Sequence, residues 1–390
     1  LIKNATPYAP SPSGKKDILI AGGRIVAIEA SITPAGLPGS VEVIDAAGLA
    51  ATPGFIDGHV HITGGGGEGG FKTRTPELML SDATRAGVTT VVGVLGTDGV
   101  ARSLEALVAK VYALREEGIS AYCYTGAYRV PLPTITGDII KDIMMIEPVI
   151  GAGEVALSDH RSAKPTDAEL ARVAAEARLG GMLSGKAGVV NVHLGDAPEG
   201  LSPLERVCSR GDLPRAQFLP THCNRNRELL ERAYAWAREG GYIDFTSSTV
   251  QAFLDDGETS AAACLARARA EGLAHDRVTV TSDGQGSLPR FDDKGVMVGL
   301  GVGSCYSLVD TLREAVGKHG MRLEDALPAI TQSPAKALKL GRKGRVELGM
   351  DGDIVILDQE LRPRTVIARG RVMVREGQVE IAGTFEGEGR

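Results

Sequence analysis

Along the middle of the chain, apolar residues come in short, nearly continuous runs rather than in strict alternation with polar ones. The runs are GFIDGHVH from 54, TTVVGVLGT from 89, SAYCYTGAY from 120, VIGAGEVALSDH from 149, VVNVHLGD from 189, QFLPTHCN from 217, YIDFTSS from 242 and VTVTSDG from 278. Such runs read as strands buried on both faces. Helix-patterned stretches separate them: PELMLSDATRAG, LEALVAKVYALREEG, DAELARVAAEARLGG, RELLERAYAWAREGG and SAAACLARARAEG. Several end in glycine, as helix C-termini commonly do. Eight strands alternating with helices predict a parallel (β/α)8 TIM barrel over residues 52–340.

The two ends of the chain have another texture. DILIAGGRIVAIEA and VEVIDAAGLAATP near the start are Ile- and Val-rich strands broken by Gly-Gly and Pro. GRVELGMDGDIVILD, RPRTVIARGRVMVREG and QVEIAGTFEG repeat that texture at the end. Residues 1–51 and 341–390 are therefore expected to form one small antiparallel β domain, a β-sandwich, with the barrel inserted between its halves.

Composition narrows the class. With 390 residues, 43% hydrophobic and 24% charged, the chain has ample material for a globular core. A net charge of −6 argues against nucleic acid as a partner. No apolar run approaches the roughly 20 residues of a membrane helix, so no membrane partner is expected. The chain opens on Leu1 without a basic segment and an apolar segment in sequence, so no signal peptide is expected. The five cysteines, Cys123, Cys208, Cys223, Cys264 and Cys305, match no zinc or disulfide spacing. Reduced thiols in a cytoplasmic protein are the simplest reading.

Chemistry gathers where barrels place it, at the C-terminal ends of the strands. His59 and His61 end the first strand and, by alternation, point the same way. Gly64 to Gly67 follow, letting the backbone approach a ligand, with Glu68 at the rim. Glu154 lies on the fourth strand, His193 and His222 end the fifth and sixth, and Asp283 ends the eighth. Four of the seven histidines thus fall at strand ends, which scattered core histidines would not do. The set divides into two divalent metal sites. His59, His61 and Asp283 hold one ion, His193 and His222 hold the other, and Glu154 bridges both with a hydroxide. Two metals about 3.5–4 Å apart would acidify that water and polarise a carbonyl. Asp283 would then act as general acid/base, passing the proton to the leaving nitrogen. Taken alone, Asp283 would read as a capping residue in a Ser-Asp-Gly turn.

Longer motifs sharpen this reading. IDAAGLAATPGFIDGHVH resembles the opening motif of the amidohydrolase superfamily, and SPAKALKLGRKGRVELGMDGDIVILD resembles its closing one. Within the superfamily the chain most resembles the isoaspartyl (β-aspartyl) dipeptidases. HVHITGGGGEGG, VVGVLGTDG, YTGAYRVP, SDHRSA, VHLGD, THCNRN, DFTSS and SDGQGSLPRFDD carry that likeness. The resemblance implies a distorted TIM barrel with the small β domain, a homo-oligomer, and two bound divalent metal ions, zinc foremost. It implies a metal-dependent hydrolase that cuts the β-linked amide of isoaspartyl dipeptides, small molecules released as aspartate and a second amino acid. It places Tyr128 as a hydrogen-bond donor at the scissile carbonyl. It places Glu68, with Thr97, at the substrate's α-amino group, and Arg161, Arg225 and Ser287 at its carboxylates. One rim glutamate and two arginines complement one ammonium and two carboxylates.

One departure stands out. Many family members bridge their metals with a carboxylated lysine on strand 4, where this chain has Glu154; Lys164 lies beyond the motif. Glutamate keeps the charge but is shorter, so the backbone must come closer. A bulge at Gly151–Gly153 is expected to supply that approach. Related alternatives are a cyclic amidase of the dihydroorotase or hydantoinase type, or an N-acyl amino acid deacylase; neither needs a grip on a free α-amino group. A non-catalytic scaffold relative would have no reason to keep this ligand set. The Gly-rich segment GSLPRFDDKGVMVGLGVGS is expected to form a mobile lid.

Overall fold

The computed structural model describes residues 1–37, 39–292, 294 and 296–387. The eight expected barrel strands form: β1 (Phe55–Val60), β2 (Val88–Gly93), β3 (Ser120–Thr125), β4 (Val149–Leu157), β5 (Val189–Leu194), β6 (Phe218–Thr221), β7 (Ile243–Thr246) and β8 (Val278–Thr281). Nearly every residue in them is buried, which explains why their sequences are apolar throughout instead of alternating. β1 to β6 form one parallel sheet in chain order, and β7 pairs with β8. Two seams complete the curl without full ladders. At one, the Cys223 amide donates to the Asp244 carbonyl at 3.0 Å; at the other, the His61 amide donates to the Gly284 carbonyl at 2.9 Å. The barrel is thus a distorted one.

Helices begin where side chains cap them. Ser103, Asp138, Thr166, Asn226 and Ser260 each accept a first-turn amide, and Thr166 forms a capping box with Glu169. The helix Arg227–Arg238 buries Leu229, Leu230, Ala233, Tyr234, Trp236 and Ala237 on one face. The helical pattern over 76–87 shortens to Leu80–Thr84. The Leu78 amide bonds the Ile62 carbonyl instead, so the preceding residues serve the β1 loop.

The chain ends meet in a nine-stranded sheet. Ala50–Pro53 runs antiparallel to Ile354–Leu357, joining the N-terminal strands to the C-terminal ones. The other pairings are antiparallel except where Ile2–Pro7 lies parallel to Ile44–Asp45 and to Ala50–Pro53. The expected lid segment contains a hairpin of Ser287–Phe291 with Met297–Val302; its positions 293 and 295 lie outside the described residues. Among the described residues, no helix is long and apolar enough to cross a membrane.

A buried ion cluster ties the sheet to the barrel. Lys343 Nζ reaches Asp353 Oδ2 at 2.5 Å, Asp351 Oδ2 at 2.9 Å and donates to the β3 Ser120 hydroxyl at 2.7 Å. Replacing Lys343 with methionine leaves Asp353 without its cation and Asp351 with Arg342 alone, at 3.0 Å. We expect a loss of about 3–5 kcal/mol, read as a lower midpoint of urea unfolding. An unchanged midpoint would show that water reaches the cluster and solvates it.

Candidate active site

The polar residues of the strand ends converge. His59 Nε2 lies 3.5 Å from Glu154 Oε2 and 3.7 Å from Asp283 Oδ1. His61 Nε2 lies 3.1 Å from the same Asp283 oxygen. Glu154 Oε1 faces His193 Nδ1 at 2.9 Å and His222 Nε2 at 3.6 Å. His222 and Asp283 sit in the left-handed backbone region, at φ +62° and +54°, in the turns that leave β6 and β8.

Glu154 gets there through an irregular strand. Ala152 pairs with Val190, and the next pairing is Val155 with Val192. Three steps along β4 therefore match two along β5, which is a bulge at Gly153–Glu154. Gly153 has φ +136°, and a Cβ on it would stand 2.6 Å from the Asn191 carbonyl oxygen. Only glycine lets β4 lie this close to β5.

Two groups within the cluster bring three donor atoms within 4.8 Å of one another: His59, His61 and Asp283, and His59, Glu154 and His222. His59 is common to both. His193 reaches the cluster through Glu154 rather than as a member of either group. Three buried atoms of the cluster have no hydrogen-bond partner among the described residues: His59 Nε2, Glu154 Oε2 and Asp283 Oδ1. Buried polar atoms left like this are costly, and nitrogen and carboxylate donors around a common point suit divalent cations such as zinc. The residues present therefore fit a metal site.

Electrostatics agree. Burial alone would raise the Glu154 carboxyl, but the surrounding His59, His193 and His222 rings outweigh it and hold it well below the usual range. Asp283 is likewise lowered against its burial by His61, His222 and His59. Burial, with Arg225 and His193 adding to it, brings His222 down to about 3, leaving a neutral imidazole. Its Nδ1 lies 2.6 Å from the Thr246 hydroxyl, which orients the ring with Nε2 toward Glu154.

A cavity of about 780 Å³ opens onto this cluster. His61, His193, His222 and Asp283 line it, together with Tyr128, Glu68, Thr97, Arg161, Arg225 and Ser287. The Tyr128 hydroxyl is 2.8 Å from His193 Nδ1. Glu68 Oε1 accepts from the Thr97 hydroxyl and from Arg161 Nη1, both at 3.0 Å. The Arg161 guanidinium also lies over the Tyr128 ring, 5.4 Å from its centroid. Arg225 is looser, at 3.8 Å from Asp159 and 4.0 Å from Asp196. All twelve residues singled out in the sequence thus lie in the His–carboxylate cluster or on the cavity wall.

Four further residues emerge only here. Asn191 Oδ1 contacts His59 Nδ1 at 3.1 Å. It sits two residues before His193 on β5, so strand alternation was a signal for it. Thr246 orients His222, and Asp159 holds both Arg161 and His193. Glu258 lies on the cavity wall; burial pushes its carboxyl up to about 7, and its Oε1 has no hydrogen-bond partner.

Comparison with known proteins follows the same line. Residues 206–384 match the model of the amidohydrolase family. The crystal structure of a β-aspartyl dipeptidase from Fervidobacterium islandicum AW-1, in complex with β-Asp-Leu dipeptide, is 45% identical, covers 97% of both chains and has a TM-score of 0.90. A D-hydantoinase from Thermus sp. shares the fold at 18% identity, covering 98% of this chain and 97% of its own, with a TM-score of 0.68. Among curated proteins, adenine deaminase 2 of Rhizobium johnstonii is 27% identical over 94% of this chain. The chain spans 55% of that protein's length. Identity at this level over almost the whole of both chains is found with the dipeptidase, and the chain belongs to the β-aspartyl dipeptidases of the amidohydrolase superfamily.

Proposed function

We propose that this protein hydrolyses the β-linked amide bond of isoaspartyl dipeptides, releasing aspartate and a second amino acid. The observation that carries the reading is the Glu68–Arg161 pair at the cavity wall, beside the His–carboxylate cluster. An isoaspartyl residue has a free ammonium and a free carboxylate on one carbon. Glu68 is complementary to the first and Arg161 to the second, so the substrate's head group replaces the pair that the two side chains make with each other. A cyclic amide has no such zwitterion.

His59, His61 and Asp283 would hold one divalent cation, and His193 and His222 a second, with Glu154 shared between them. When bound, the cations would polarise the scissile carbonyl and acidify the attacking water. The rest falls to the chain. The Asp283 carboxylate, on the cavity wall, takes the water's proton and delivers it to the leaving nitrogen. Burial and the nearby Glu154 charge keep the Tyr128 hydroxyl protonated. It can therefore donate to the carbonyl oxygen as charge builds there. Arg161, Arg225 and Ser287 fix the substrate's carboxylates, and the walls limit water.

Five free cysteines support a reducing, cytoplasmic setting. Exposed Met145, Met182 and Leu183 on the adjoining helices Ile139–Met145 and Asp167–Ser184 support assembly into a homo-oligomer.

The direct test is hydrolysis of β-Asp-Leu beside α-Asp-Leu by zinc-loaded protein. Cleavage of the β isomer alone is expected; no cleavage of it, with zinc bound, would overturn the proposal. Glu68→Gln supplies a second check. It should raise KM for β-Asp-Leu by about 10–100-fold, the weight of a charge-assisted hydrogen bond. An N-acylated β-Asp-Leu, which lacks the ammonium, should be insensitive to the change.

A further inference from the structure

Asp159 is a carboxylate beside the site to which the proposed reaction assigns no task. Its side chain is 4% exposed. Oδ1 accepts from the Arg161 amide at 2.8 Å and from Arg161 Nε at 2.9 Å. Oδ2 accepts from Arg161 Nη2 at 2.8 Å and lies 2.9 Å from His193 Nε2. The seat is tight, since a Cβ on Gly195 would fall 2.5 Å from the Asp159 Cβ. One carboxylate therefore grips two working side chains at once.

Each grip has a consequence. Both His193 nitrogens face a carboxylate at 2.9 Å, Nε2 facing Asp159 Oδ2 and Nδ1 facing Glu154 Oε1, and Arg161 Nη2 lies 3.2 Å from Nε2. With a cation held beside Glu154, Nδ1 would turn its lone pair to the metal, and Asp159, which only accepts, would be the partner that keeps the proton on Nε2. On the other side, Asp159 occupies Nε and Nη2 of the Arg161 fork. Nη1 is left pointing at Glu68 on the cavity wall, where the substrate carboxylate would lie. We propose that Asp159 is a positioning residue that sets the His193 ring for metal and the Arg161 fork for substrate through a single carboxylate. The Arg161 half of the proposal rests on the isoaspartyl reading; the His193 half needs only the metal site.

The test reads the two halves separately. Asp159→Asn should weaken zinc binding by about 10–100-fold, measured by competition with a chromogenic chelator. It should also raise KM for β-Asp-Leu by about 10–100-fold. In an Arg161→Ala background the same change should weaken zinc as before but add little further to KM, because Asp159 holds Arg161 at 2.8 Å and Arg225 only at 3.8 Å. A zinc affinity and KM both at the unmodified level would overturn the proposal, as would a KM effect that adds in full to that of Arg161→Ala. Should the asparagine variant fail to fold, Asp159→Glu keeps the charge on a longer arm. It should show both defects in smaller measure, and wild-type values for both would be equally fatal. The zinc measurement involves no substrate. Failure of the unmodified protein to cleave β-Asp-Leu would end the isoaspartyl reading and leave the His193 half tested.

Discussion

Asp283→Asn should lower kcat by about 10²–10⁴-fold, the range for loss of a positioned general acid/base. Asparagine matches aspartate in shape and tolerates the left-handed backbone at φ +54°, so the β8 turn should keep its conformation. What changes is one atom's chemistry. Asp283 Oδ1 is buried, lacks a hydrogen-bond partner and lies 3.1 Å from His61 Nε2. An amide oxygen there can still lie beside a cation but takes up a proton far less readily. kcat and kcat/KM should fall together, because the interaction lost belongs to the transition state. Metal content and thermal midpoint, measured on the same sample, separate this from ligand loss or unfolding. A kcat within about tenfold of the unmodified protein, with metal retained, would remove Asp283 from proton transfer.

The second large effect concerns the residue that departs from the family pattern. Glu154→Gln keeps the volume at the β4 bulge and deletes the negative charge between His59, His193 and His222. Those three rings hold the carboxylate ionised, and the carboxylate is the charge that opposes two divalent cations brought close together. We expect metal affinity to fall by at least about 10²-fold, larger than changes behind a ligand produce. Hydrolysis at limiting zinc should fall with it, and excess zinc should restore part of it. The apo protein should lose some stability at neutral pH, since a carboxylate held below its usual range by those rings contributes to the fold when ionised. Undiminished zinc affinity would mean that Glu154 is not a shared ligand and that the histidines with Asp283 hold the ions.

Much of this was legible in the chain. The barrel shows in the one-dimensional record because each of its strands is buried on both faces, so the apolar runs mark them directly. The candidate ligands show because strand ends are where a parallel barrel opens to a site, and His59, His61, His193, His222 and Asp283 stand at those ends. The Gly151–Gly153 pair announced an irregular β4, since neither glycine has a side chain to pack and both lie against β5.

What sequence order could not supply was partnership across the barrel. The sequence pairs His193 with His222, and both rings face Glu154 Oε1, at 2.9 and 3.6 Å; what order along the chain does not indicate is that His59 joins both three-donor groups. Asn191, Thr246 and Asp159 carry no motif that marks them as supports of His59, His222 and His193. Their roles arise from strands distant in the chain lying side by side at one end of the barrel. Periodicity reports which face a residue takes. It does not report which residue faces it from a strand many positions away. The strand count and the ligand types were therefore determined locally, by burial and alternation. The grouping of donors, the Glu68–Arg161 pair and the double grip of Asp159 were decided only when closure of the barrel brought those side chains within hydrogen-bond range.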